Sequence, residues 1–191
     1  MSLDGALARI DAGLDQSLAR LFDLIRLKSI SADPAFAAEV RRTGEWCVAE
    51  LAGLGFEASL RETPGHPIVV AHWTGAVADP ARHVLFYGHY DVQPVDPLNL
   101  WNADPFDPKI EDRDGVKVIT GRGSADDKGQ FLIFIEAVRA LIAEEGRLPV
   151  KVTILLEGEE ESGSPSLEPF LKANAAELSH DLALICDTNM W

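Results

Sequence analysis

Apolar residues recur at three- and four-residue spacing from the start of the chain: Leu3, Leu7, Ile10, Leu14, Leu18, Leu21 and Ile25. One stripe of that period predicts a single helix over residues 3–28. The segment Ser29-Ile30-Ser31-Ala32-Asp33-Pro34 breaks it. A second helix is predicted over 36–54, with Gly55 as its C-terminal stop. The period then shortens, and strands are predicted over 56–61 and 67–73. Val84-Leu85-Phe86-Tyr87 is a continuous apolar run, as expected of a strand buried on both faces.

Residues 93–114 are polar and contain Pro94, Pro97, Pro105 and Pro108, which predicts little regular structure. Trp101 and Phe106 favour an ordered loop packed on the domain. Beyond it the pattern predicts a strand over 115–120, a helix over 128–145 followed by Gly146, and a strand over 150–156. A helix over 166–177 and a last strand over 182–186 complete it. Phe131-Leu132-Ile133-Phe134-Ile135 is apolar on nearly every side, so the third helix should be largely buried. Strands alternating with helices indicate an α/β sheet covered on both faces.

Composition narrows the function. At 191 residues and 47% hydrophobic, the chain can bury one sizeable core. Its formal net charge of -14 opposes nucleic-acid binding, which requires a basic surface. No apolar run approaches the ~18 residues of a membrane span, and no secretory leader pattern opens the chain. The two cysteines, Cys47 and Cys186, fall in apolar segments and read as a reduced, buried pair, which fits a cytoplasmic protein.

The candidate chemistry lies where predicted strands run out. His89 and Asp91 are two apart, so in extended chain they share a face. Asp91 could contact the second ring nitrogen of a ligating His89 or act through a neighbouring turn. Asp126 and Asp127 precede the apolar helix, where one aspartate suffices as a cap and the other is unexplained. Four acids occupy residues 157–161, and Asp187 follows the last strand. Each feature has an ordinary alternative: a solvated histidine–carboxylate pair, a helix cap, an acidic loop, a strand-end aspartate. Together they suggest a metal site, with a histidine and carboxylates suiting Zn²⁺, Mn²⁺ or Co²⁺ better than Ca²⁺.

Three segments carry a resemblance. Gly88-His89-Tyr90-Asp91-Val92-Gln93-Pro94, Gly121-Arg122-Gly123-Ser124-Ala125-Asp126-Asp127-Lys128-Gly129 and Glu157-Gly158-Glu159-Glu160-Glu161-Ser162-Gly163-Ser164 resemble the dinuclear zinc peptidase family. That family includes carnosine dipeptidases, desuccinylases, deacetylases and aminoacylases. The resemblance implies a mixed, largely parallel sheet with helices on both faces. It implies His89 and Asp187 as ligands of one metal, Asp126 as the bridging carboxylate and Glu161 as a ligand of the second metal. Asp91 is implied as the acid supporting His89, Glu160 as general base, and Asp126–Asp127 as a cis peptide. Two divalent ions follow, zinc foremost, with manganese or cobalt as alternatives.

Asp126-Asp127-Lys128-Gly129 resembles the dipeptidase branch more than the branches in which methionine follows the bridging acid. Dipeptide hydrolysis is therefore the expected activity. Hydrolysis of N-acyl amino acids, or an inactive metal-binding fragment, are the alternatives. Family members also carry a second ligand histidine and a lid domain that often forms a homodimer interface. His66, His72, His83 and His180 do not sit in the expected histidine motif. Residues 1–191 are thus expected to be the N-terminal part of the catalytic domain, without the lid domain or the rest of that domain.

Overall fold

The computed structural model describes residues 3–188. The predicted first helix is two helices, α1 (Leu3–Ala12) and α2 (Leu14–Arg26), interrupted at Gly13. The Gly13 amide reaches back to the Arg9 and Ile10 carbonyls at 2.9 and 3.2 Å, and Gly13 then stands at the N-cap of α2. Glycine is weakly helix-forming, so a break here costs little. The apolar stripe also divides: Leu21, Leu24 and Ile25 are buried, whereas Leu3, Leu7 and Leu14 are exposed. Helix α3 (Ala37–Gly53) follows the Pro34 turn.

The main sheet has strand order β1 (Phe56–Arg61), β2 (Ile68–Trp73), β6 (Leu148–Glu157), β3 (Val77–His89) and β7 (Leu182–Ile185). β6, β3 and β7 run parallel; β2 is antiparallel to β6, and β1 to β2. The mixed sheet with a parallel core agrees with the expected fold class. β3 begins earlier than its apolar run predicts, because residues 77–83 form a polar extension with a register shift.

Alternation along the strands builds two cores. Val69, Ala71, Phe86, Ile154 and Leu156 face α2, α3 and helix α4 (Lys128–Glu145). Ile68, Val70, Leu85 and Leu155 face Leu167 and Phe170 of helix α5 (Leu167–Ala173). Helix α5 ends earlier than the predicted 177. Helix α4 buries Phe131, Leu132, Ile135 and Val138, but Ile133 is 71% exposed, so its burial is one-sided. Gly146 closes α4 in the left-handed conformation, φ 67°, its amide on the Ile142 carbonyl at 2.8 Å.

The proline-rich stretch ends in regular structure that its composition hides. β4 (Lys109–Arg113) pairs with β5 (Val116–Thr120) as a separate antiparallel hairpin. Asp114 and Gly115 turn it, with φ of 55° and 83°. Trp101 and Phe106 do tie the preceding loop down: Trp101 donates its indole N–H to the Val95 carbonyl, and Phe106 packs with Ile30 and Val92. Cys47 is buried but Cys186 only half so, and both are free thiols, which corrects the expected buried pair. No helix among the described residues is long and apolar enough to cross a membrane.

Candidate metal centre

The registers Gly88↔Leu156 and His89↔Glu157 bring the ends of β3 and β6 side by side, with β7 flanking β3. The start of α4 lies against the same edge: the Asp127 carboxylate accepts the backbone N–H of His89 at 2.9 Å. At this junction the ligand-type atoms of His89, Asp126 and Asp187 all lie within 4.8 Å of one another. His89 is buried; Asp126 and Asp187 are exposed.

Asp91 sets the geometry from beneath. His89 Nδ1 lies 3.3 Å from Asp91 Oδ1 and 3.2 Å from the Asp91 carbonyl oxygen. Both are acceptors, so Nδ1 carries a proton and Nε2 is turned to the acids. Nε2 is 2.9 Å from Asp126 Oδ1 and 3.8 Å from Glu160 Oε2. The Asp91 carboxylate also accepts the Ser31 hydroxyl at 2.5 Å and the amides of Glu160 and Glu161 at 3.2 and 3.0 Å. One buried carboxylate therefore fixes both the imidazole and the backbone that presents the two glutamates.

The acid run separates by direction. Glu157 is buried and accepts from the Tyr87 and Ser164 hydroxyls, leaving its other oxygen buried and unpartnered. Glu159 is buried too, accepting the amides of His66 at 2.8 Å and Ser166 at 3.2 Å. Glu160 and Glu161 remain partly exposed, and Glu161 Oε2 accepts from Gln93 at 2.7 Å. Glu161 is not among the three grouped ligands, but the Asp126 charge reaches it.

Charges here are held against their preference. Burial opposes a charged His89, yet Asp91 and the surrounding acids outweigh it and push the ring up to about 10. Burial pushes Asp127 up to about 8, opposed by the His89 amide and ring and assisted by Asp187 and Asp126. Burial likewise raises Glu160, with His89 opposing and Asp187 and Glu161 assisting. For Glu161 burial raises the carboxyl, the Gln93 hydrogen bond lowers it and Asp126 raises it again. His89 Nε2 stands 2.9 Å from Asp126 Oδ1, with Asp187 beside them. One imidazole with several carboxylates is a donor set that fits zinc or a similar divalent ion.

Several contributors escaped the sequence. Ser31 lies 60 residues from Asp91, and no local pattern marks it. Glu157 and Glu159 differ from Glu160 and Glu161 only by burial. Asp127 occupies the N-cap position of α4 without a side-chain capping bond. The other histidines lie elsewhere: His72 and His83 share the Thr153 hydroxyl, His66 bonds the Ser31 carbonyl and His180 the Leu178 carbonyl. The peptide bond Asp126–Asp127 is cis, as the resemblance implied.

Residues 85–191, more than half of the chain, match the sequence profile of peptidase family M20/M25/M40. The Cys-Gly metallodipeptidase dug1 of Schizosaccharomyces pombe is 30% identical over 202 aligned residues, covering 100% of this chain and 41% of that protein. The human Beta-Ala-His dipeptidase is 37% identical over 131 residues, 67% of this chain and 24% of that protein. Among solved structures, human carnosine dipeptidase 1 superposes with TM-score 0.87 at 31% identity, covering 99% of this chain and 41% of that one. The Saccharomyces cerevisiae di-peptidase Dug1p gives TM-score 0.86 at 30% identity, over 100% and 42%. The chain thus spans about two-fifths of the length of these full-length relatives. By the profile match and by identity across its whole length, the chain belongs to peptidase family M20/M25/M40.

Proposed function

We propose that these residues form the N-terminal part of a metal-dependent dipeptidase. The observation that carries the reading is the convergence of His89, Asp126 and Asp187 within 4.8 Å, with Glu160 Oε2 at 3.8 Å from His89 Nε2. His89, Asp187 and Asp126 would hold a divalent ion, zinc foremost, and Asp126 would also serve a second. Glu161 would serve that second ion, together with a histidine from polypeptide outside these 191 residues. Bound ions supply Lewis acidity, polarising the peptide carbonyl and lowering the pKa of water toward neutrality.

The chain's own groups do the rest. Glu160 Oε2 stands 3.8 Å from His89 Nε2 and burial raises its carboxyl, so it can take a proton from water as the water oxygen attacks the peptide carbonyl carbon. The C–N bond then breaks, and Glu160 returns the proton to the leaving amine nitrogen. Asp91 keeps the His89 Nδ1 proton in place throughout. The named activities of the relatives, on Cys-Gly and β-Ala-His, support dipeptides over N-acyl amino acids as the substrate class.

The test joins metal binding to turnover. In a polypeptide running the full length of the relatives, Glu160→Gln is expected to keep metal affinity within about threefold while losing about 100-fold or more in turnover of dipeptides. Near-normal turnover would remove Glu160 from the base role. Faster cleavage of acetyl or succinyl amino acids than of dipeptides would overturn the substrate class.

A further inference from the structure

Asp127 is fully buried, yet it does not serve its own helix. It stands at the N-cap of α4, where an aspartate normally accepts an amide of the first turn, and it makes no such bond. Its Oδ2 accepts the backbone N–H of His89 at 2.9 Å instead, and its Oδ1 is buried without a partner. The opposite strand is shaped for this approach. A Cβ on Gly88 would lie 2.7 Å from Asp127 Oδ2 and 3.0 Å from the Phe131 Cβ, too close for either neighbour to remain in place. The next residue, Lys128, is also buried and donates to the Leu24 and Leu27 carbonyls at 3.1 and 2.6 Å, where α2 ends. Three consecutive side chains therefore point three ways: Asp126 toward His89 Nε2, Asp127 onto β3 and Lys128 onto α2.

We infer that Asp127 is a positioning residue of the metal centre, clamping the His89 main chain to the start of α4 and so setting the approach of His89 Nε2 to Asp126 Oδ1. The inference rests on the metal reading proposed above. A turn held from both sides leaves the Asp126 carboxylate one place to stand, and ligand sets depend on such outer contacts for their geometry. What the clamp requires is an acceptor for the His89 N–H. An asparagine oxygen can supply it; a leucine of similar size cannot. Gly88→Ala should act like the leucine variant, because the methyl group displaces the carboxylate from the strand.

The experiment is a Co²⁺ titration of a polypeptide running the full length of the relatives, read by its visible absorption band, with urea unfolding of each metal-free variant alongside. Asp127→Asn should match the wild-type band position and bind within about threefold, whereas Asp127→Leu and Gly88→Ala should bind about tenfold or more weakly with a displaced band. A wild-type band and affinity in Asp127→Leu, or their loss in Asp127→Asn, would overturn the inference. If the leucine variant does not fold, Asp127→Asn and Gly88→Ala decide it by the same two readings. No Co²⁺ binding by the wild type would overturn the metal reading and this inference with it, whereas wild-type binding indifferent to residues 88 and 127 overturns this inference alone.

Discussion

Two groups of carboxylates in this molecule have opposite surroundings. On the outer flank of α4, Glu136 accepts from Arg20 at 2.5 and 2.7 Å, from Ser17 at 2.8 Å and from Arg139 at 3.3 Å. Glu50 is met by Arg139 at 2.8 Å, and Glu144 by Arg9 at 2.6 Å. At the strand ends, among the described residues, no lysine or arginine pairs with Asp126, Asp127, Asp187, Glu157, Glu160 or Glu161; His89 is the only basic partner. Lys128 is adjacent in sequence but spends its ammonium on helix carbonyls. The consequence is visible in the titration directions. Burial works against the Glu136 charge, but its hydrogen bonds and arginines hold it below the usual range, whereas Glu157, Glu160 and Glu161 are raised. Where carboxylates stabilise the fold they have their cations within the chain. At the strand ends the one basic side chain paired with the acids is His89, among the described residues.

The sharpest way to break that contrast is to build the cation in. Asp187→Lys should lower Zn²⁺ affinity by about 100-fold or more while making the metal-free protein no less stable, because a fixed ammonium relieves the repulsion among the acids. Calorimetric titration and urea unfolding of the same sample check both halves. A variant that keeps its zinc affinity would show that the cluster is not the binding site.

A smaller effect should follow from the contact beneath the site. Ser31→Ala removes one donor from Asp91 without touching a ligand. It is expected to weaken Zn²⁺ binding about tenfold, in the range of outer contacts to metal-bound histidines. Unchanged affinity would mean that the Glu160 and Glu161 amides alone hold Asp91.

The smallest effect belongs to the paired group and carries a definite pH sign. Glu136 has a folded pKa below its unfolded value near 4.5, so its contribution is present above that pH and lost as pH falls through the folded pKa. Glu136→Gln should cost about 1 kcal/mol at pH 7, and the gap to wild type should close as pH falls through the lowered folded pKa. Zinc affinity should not move. A gap that persists in acid would assign the effect to packing.

Much of this was legible in the amino-acid pattern because it is local. Strand ends are marked by apolar runs that stop, as at Tyr87-Gly88-His89 and Leu156-Glu157, and the ligand types stand at those stops. The apolar stripe runs through Gly13 unbroken and so predicts one long helix, and only backbone geometry shows the interruption. β4 was missed because Lys109–Arg113 has little apolar alternation to show: the hairpin stands off the main sheet, and its one clear signal is the Asp114-Gly115 turn. Ile133 was expected inside because composition cannot tell a helix buried all round from one with an apolar face left open. Ser31, Glu159 and Asp127 act across 60, 93 and 38 residues of chain, on Asp91, His66 and His89, distances over which no periodicity carries information.

The acids at the strand ends are expected to bind a divalent cation, and the arginine-paired Glu136 is not. The most direct measurement is the thermal unfolding of wild type, Asp126→Ala and Glu136→Gln, each with and without saturating Zn²⁺. A ligand bound only by the folded state raises the melting temperature in proportion to its affinity. Wild type should show a zinc-dependent rise and Glu136→Gln an equal rise from a lower starting point, with little or none in Asp126→Ala. An undiminished rise in Asp126→Ala, or no rise in wild type, would contradict it.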